Sequence, residues 1–150
     1  MAEYIKSIRK LIGHRPFLLC GTGVIVYSKG KVLLQLRSDN NCWGYHGGAI
    51  ELDEVVEEAA KRELFEETGL MANSLKLFGV FSGPEFHYVY PNGDEVSNVD
   101  ITYVCEDFSG ELISDNDEVN KLKWFDINDL PSNISPPERK QLLKFIESKK

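Results

Sequence analysis

A chain of 150 residues with 42% hydrophobic content is long enough for one domain with its own core. Its formal net charge of −7 argues against general nucleic-acid binding, which needs a basic surface, and no apolar run approaches the ~20 residues of a membrane span. The N-terminal MAEYIKSIRKLIGHRP lacks the long apolar core and small-residue cleavage site of a secretory signal, and Cys20, Cys42 and Cys105 show no metal-type spacing, so reduced thiols in a cytoplasmic protein are expected.

In chain order, Ile5, Ile8 and Leu11 have helical spacing, which predicts a helix over 3–11 within a short N-terminal extension, 1–16. Residues 18–27 are apolar and β-branched and 31–37 alternate, with Ser28-Lys29-Gly30 between them as a hairpin turn. Ser38 to Asn41 reads as a loop and 43–46 as a short extended piece. After a helix over 54–68, strands are expected over 74–82, 86–90 and 96–105, with Asn92-Gly93 supplying the positive φ of a hairpin turn. Residues 122–125 form a further strand and 126–130 a single helical turn. Pro136 sits in the first turn of a final helix that runs to Ser148. The class is α+β with a mixed sheet and no internal repeat or linker.

The segment GAIELDEVVEEAAKRELFEETGL, Gly48 to Leu70, carries the chemistry. Asp53 is a candidate N-cap, Glu54 suits the positive end of the helix dipole, and Gly69 is a natural stop. At 100° per residue, Val56, Ala59, Ala60 and Leu64 form an apolar stripe. Glu63, Glu66 and Glu67 continue that inward face, whereas Glu57, Glu58, Lys61 and Thr68 project toward water and Phe65 has no evident partner. Like charges at i,i+4 repel by roughly 0.2–0.5 kcal/mol even when exposed. Arg62 offsets one of them, and a Mg²⁺ or Mn²⁺ site would offset the rest.

This segment resembles the Nudix box: Gly, five residues, Glu, seven residues, Arg-Glu, an aliphatic, any residue, Glu-Glu, any residue, Gly, an aliphatic. Gly48, Glu54, Arg62, Glu63, Leu64, Glu66, Glu67, Gly69 and Leu70 fill every defined position. Trp43 to Gly48 is similar to the family's lead-in, except that His46 stands where proline is common. Residues 118–131 resemble its final strand and turn. The resemblance implies a single domain over 1–150, an α/β/α sandwich with a loop-helix-loop catalytic motif, and a metal-dependent pyrophosphohydrolase. It assigns Glu63, Glu66 and Glu67 to a Mg²⁺ or Mn²⁺ ion, with the Gly48 carbonyl as a further ligand and Arg62 orienting the carboxylates. Glu54 is expected to pair with Arg62 or hold the loop rather than bind metal. Glu63 is a candidate to act on the attacking water. Outside the box, Glu118 is the candidate base, with a solvated acidic loop (Asp115, Asp117, Glu118) as the alternative.

Arg37, Trp43, Tyr45 and His46 are candidate substrate contacts. Arg37 ends a strand where it could reach a phosphate. Trp43 and Tyr45 could stack on a nucleobase or belong to the core. His46 could meet a phosphate or pack the loop. Phe86, Tyr88 and Tyr90 alternate on one strand face, as core, base platform or homodimer surface; His14 and His87 receive no role. The expected substrate is a small nucleotide-type molecule, a nucleoside di- or triphosphate or ADP-ribose. Pro84 and Tyr88, 14 and 18 residues past Leu70, point toward different subgroups, and segments associated with NADH or coenzyme A are absent. The alternative is a catalytically silent nucleotide-binding sensor or interaction module, against which the complete set of box carboxylates speaks.

Overall fold

Strand β1 (Phe17–Ser28) organises the molecule, because it pairs on both edges. In the computed structural model, which describes residues 3–113 and 119–150, it runs antiparallel to β2 (Lys31–Arg37) and to β4 (His46–Ala49), and parallel to β7 (Glu95–Ser109). β3 (Trp43–Gly44) and β8 (Val119–Asp126) flank β2, while β5 (Met71–Phe81) and β6 (His87–Val89) flank β7. The sheet is mixed, as the sequence predicts.

Alternation along the strands sends side chains to two cores. Val24, Val26, Leu33, Tyr103 and Cys105 pack with Ala60, Leu64 and Leu70 of the α2 (Val56–Thr68) region. Ile25, Val32 and Leu34 take the opposite face and pack with Leu142, Phe145 and Ile146 of α3 (Pro136–Ser148). Residues 32–35 are buried in succession rather than alternating as expected over 31–37, because the sheet is covered on both faces there. The short helix α1 (Glu3–Ile12) buries Ile5 alone among its residues.

Several elements differ from expectation. Helix α2 starts at Val56 rather than Glu54: Asp53 adopts a left-handed φ of 63°, and Val55 makes no side-chain cap. Glu54 therefore stays in the loop, free to turn its carboxylate onto Arg62. Thr68 points inward, fully buried, donating to the Leu64 carbonyl at 2.6 Å and accepting from the Leu70 N–H at 3.0 Å. The piece 43–46 divides into β3 and β4 because its two halves pair with different strands. Residues 84–86 form a 3₁₀ turn ahead of a short β6. The helical turn foreseen over 126–130 is instead a turn in which the Asp126 side chain accepts the Asn128 N–H at 2.8 Å. Gly69 ends α2 as expected, with φ 83° and its N–H on the Phe65 carbonyl.

β4 lies against β1 through glycine. A Cβ at Gly47 would run into the Thr22 carbonyl and the Gly23 Cα, both backbone atoms. Gly47→Ala is expected to force β4 off β1, destabilising the fold by roughly 1–3 kcal/mol. Leu64→Ala, which hollows the α2-side core, is expected to cost about 2–5 kcal/mol. Urea unfolding of both variants checks the pair.

Candidate functional site

A cleft of about 970 Å³ runs between the α2 carboxylates and the far end of the sheet. Glu63, Glu66 and Glu67 line one part of it together with Arg62, Gly47 and Gly48. Arg37, Tyr45, Tyr90 and Glu138 line another.

Arg62 is the hub of the carboxylate wall. Its guanidinium grips Glu54 in a two-point fork, Nε to Oε2 at 2.7 Å and Nη2 to Oε1 at 3.0 Å. Nη1 donates to Glu63 at 2.9 Å and lies 3.4 Å from Glu66, while Nη2 lies 3.4 Å from the Ala49 carbonyl. The arginine thereby fastens helix to loop. Hydrogen bonding from Arg62 holds the Glu54 carboxyl below its usual range, and the Glu51 N–H adds a bond at 3.0 Å.

Glu67 sits deeper, 5% exposed. Its Oε1 accepts the Gly47 N–H at 2.9 Å and the Gln35 amide at 3.1 Å. Burial, then the charge of Glu63, raises its pKa well above the ordinary glutamate value; the Gly47 N–H, Arg37 and Gln35 oppose the rise. His46, fully buried, donates from Nε2 to the Leu33 carbonyl at 3.1 Å, leaving Nδ1 bare 3.9 Å from Glu67. Burial lowers its pKa to about 4, so it stays neutral.

Further along, Arg37 forks onto Asp39 at 3.1 and 3.2 Å and lies 3.9 Å from Glu138. Burial raises the Glu138 pKa to about 7. Tyr45 donates to Asp100 at 3.0 Å, and Gln141 donates to the same oxygen at 3.0 Å.

Of the sequence-predicted residues, Arg62, Glu63, Glu66, Glu67 and Gly48 converge on one wall, Glu66 as its exposed member at 55%. Arg37 faces the cleft. Tyr45 borders it with its ring over Gly23. His46 reaches the same wall but is committed to loop packing. Trp43 is placed in the core rather than on the cleft: it packs edge-to-face on Phe125 at 4.8 Å. Tyr88 and Tyr90 line the cleft, and Phe86 packs tilted against Phe81 with ring centroids 5.9 Å apart. Glu118 lies outside the described residues. Gln35, Asp100, Glu138 and Gln141 were not foreseen. Gln35 carried a signal, a lone amide inside the apolar run VLLQL; the others are drawn together only by the tertiary fold.

The wall suits a hard divalent cation. Its donors are all oxygens, which Mg²⁺ and Mn²⁺ prefer. A Cβ at Gly48 would stand 2.6 Å from Glu63 Oε1, so glycine there lets the carboxylate lie against the backbone. Among the described residues no three His, Cys, Asp or Glu side chains close into a ready cage.

Residues 20–145 match the family model described as NUDIX domain. The chain is 36% identical to an ADP-ribose pyrophosphatase of Methanocaldococcus jannaschii, over 86% of this chain and 77% of that protein. It is 32% identical to a putative 8-oxo-dGTP diphosphatase of Bacillus subtilis, over 83% and 78%. The crystal structure of a MutT NUDIX hydrolase from Burkholderia pseudomallei superposes with a TM-score of 0.72 at 30% identity, covering 85% of this chain and 97% of that one.

The neutral His46 generates a pH prediction. Its folded pKa of about 4 lies below the ordinary 6.5, so between these values the unfolded chain binds the extra proton and stability falls as pH falls. The contribution lost from pH 6.5 to 4 is about 3 kcal/mol. Urea unfolding across this range is expected to show that slope in the native protein and its absence in His46→Leu.

Proposed function

The chain belongs to the NUDIX family and is a hydrolase of that family, and from that premise we propose that it cuts the diphosphate bond of a nucleoside diphosphate linked to another moiety. The observation that carries the reading is the wall of Glu63, Glu66 and Glu67 beside Gly48, gathered by Arg62 into a cleft that also holds Arg37. ADP-ribose or a nucleoside di- or triphosphate is the proposed substrate class, supported by the relatives that act on ADP-ribose and, by putative assignment, on 8-oxo-dGTP.

Family members use a divalent metal. Here Glu63, Glu66, Glu67 and the Gly48 carbonyl would hold Mg²⁺ or Mn²⁺, which supplies charge neutralisation for the diphosphate and a lower pKa for a bound water. The chain's own groups do the positioning. Gly47 N–H and Gln35 fix one oxygen of Glu67 and leave the carboxylate oriented toward the wall. Arg62 fixes Glu63, the candidate to draw a proton from the attacking water. Arg37, raised in pKa by Asp39 and Glu138 despite burial, stays charged and suits a phosphate oxygen. Water attack on phosphorus then separates two phosphate-bearing products. Glu118 remains the proposed base outside the box, and a cytoplasmic setting fits the free thiols.

Purified protein with Mg²⁺ or Mn²⁺ is expected to hydrolyse at least one of ADP-ribose, nucleoside triphosphates, dinucleoside polyphosphates and sugar nucleotides. Glu63→Gln and Glu67→Gln are each expected to lower turnover by about 100-fold or more with unchanged thermal unfolding, and Glu118→Gln by about tenfold or more. Near-normal turnover in both box variants would sink the assignment. Because Glu67 must lose its proton to ligate, Mg²⁺ affinity measured by calorimetry is expected to weaken as pH falls.

A further inference from the structure

Residues 17, 19, 21, 23 and 25 of β1 share one face of the sheet, beside their parallel partners Val96, Asn98, Asp100, Thr102 and Val104 of β7. At Ile25 and Val104 this face is covered by the α3-side core. Toward the start of β1 it is open and becomes the floor of the cleft. The floor changes character along its length. At Gly21 it is bare: a Cβ there would stand 3.3 Å from the Gly48 carbonyl. Two and four residues earlier, Leu19 and Phe17 supply large apolar side chains. Tyr88, paired with Val96, widens that end, with Tyr90 edge-to-face at 4.8 Å, and Ile5 of α1 borders it.

Helix α1 lies outside the family match and is fastened to the β6–β7 hairpin. Arg9 donates to the carbonyls of Gly13, Arg15 and Glu95 at 2.9, 2.7 and 2.7 Å, lies 3.7 Å from Asp94, and covers the Phe17 ring at 4.6 Å. His14 also binds Asp94, at 2.7 Å. The basic groups at this end are thus committed, and Glu3 and Asp94 line it. A phosphate is unwelcome there, whereas a divalent cation on the carboxylate wall would receive one at the box end. A flat uncharged ring suits the apolar end.

We propose that Phe17, Leu19, Tyr88 and Val96, bordered by Ile5 of α1 and by Tyr90 on the Arg37 side, form the subsite for the substrate's nucleobase, with the diphosphate crossing the bare strip at Gly21 toward the carboxylate wall. The proposal rests on the pyrophosphohydrolase reading for its substrate class. It makes the N-terminal helix part of the substrate-binding surface.

The test pairs binding with kinetics. The ¹³C-methyl and aromatic NMR signals of the whole protein are followed during titration with AMP and, separately, with ribose 5-phosphate, which lacks the base. AMP is expected to shift Ile5, Leu19, Phe17 and Tyr88, and ribose 5-phosphate to leave them in place. With the best substrate of the hydrolysis panel, Tyr88→Leu and Phe17→Leu are each expected to raise KM about tenfold, the loss of one stacked base, with kcat within about threefold and thermal unfolding little changed. AMP shifts confined to the surroundings of Glu138, equal shifts from both probes, or an unchanged KM in both variants would overturn the proposal. If the panel shows no hydrolysis, the reading of the reaction fails, and the AMP titration still decides the base subsite.

Discussion

One arginine makes the concentration of negative charge on α2 possible. Glu54, Glu63 and Glu66 all approach the Arg62 guanidinium, at 2.7, 2.9 and 3.4 Å. Without it the loop would carry a repelling carboxylate beside two others, and α2 would lose its tie to Glu54 and the Ala49 carbonyl. The pairing also explains where the helix begins. Glu54 contributes more as a charged strut in the loop, held by the Glu51 N–H and a two-point fork, than it would in a first helical turn. Glu67 is the exception to the arginine's reach. It is stabilised by a backbone N–H and a buried amide, and those neutral donors do not overcome its burial and the Glu63 charge. That condition is the one the proposed divalent cation would relieve.

The second constraint is steric. β4 must pass close to β1 for the Gly47 N–H to reach Glu67, and the Glu63 carboxylate must lie over the backbone at Gly48. Glycine at both positions meets both demands. His46 serves the same end from within. Its bond to the Leu33 carbonyl ties β4 to β2, and complete burial keeps the imidazole neutral beside a carboxyl group of raised pKa.

What was legible in the sequence follows the range of the interactions. The box residues lie on a helix and its flanking loop, so their relative placement is set by local geometry, and the wall of Glu63, Glu66 and Glu67 could be read from spacing alone. The apolar run of β1 was legible, but the two-sided burial of β2 was not, because its 31–37 stretch read as alternating. Glu138, Asp100 and Gln141 were not, because they reach the cleft only when α3 and β7 fold against the same face. Trp43 was ambiguous in the sequence for the same reason: its partner Phe125 lies on a distant strand. Thr68 defeated the helical projection because the last turn of α2 is covered by the chain beyond it, where Ile113 N–H binds the Thr68 carbonyl at 2.8 Å.

The cleft joins two chemistries that the family pattern alone does not connect. Its box end gathers carboxylates and arginines, which suit metal and phosphate; its α1 end gathers aromatic and aliphatic groups whose neighbouring cations are already bonded. β1 bridges them by changing residue size along one face, from Phe17 and Leu19 to Gly21 and Gly23. A substrate with a flat ring at one end and a diphosphate beyond it has the same order of groups. Orientation then follows from desolvation: a phosphate at the apolar end would lose its hydration beside Glu3 and Asp94, and a ring at the carboxylate wall would displace water from charged oxygens. On the proposed reading the strand sets direction as well as affinity, and the carboxylate wall needs only to hold what the floor delivers.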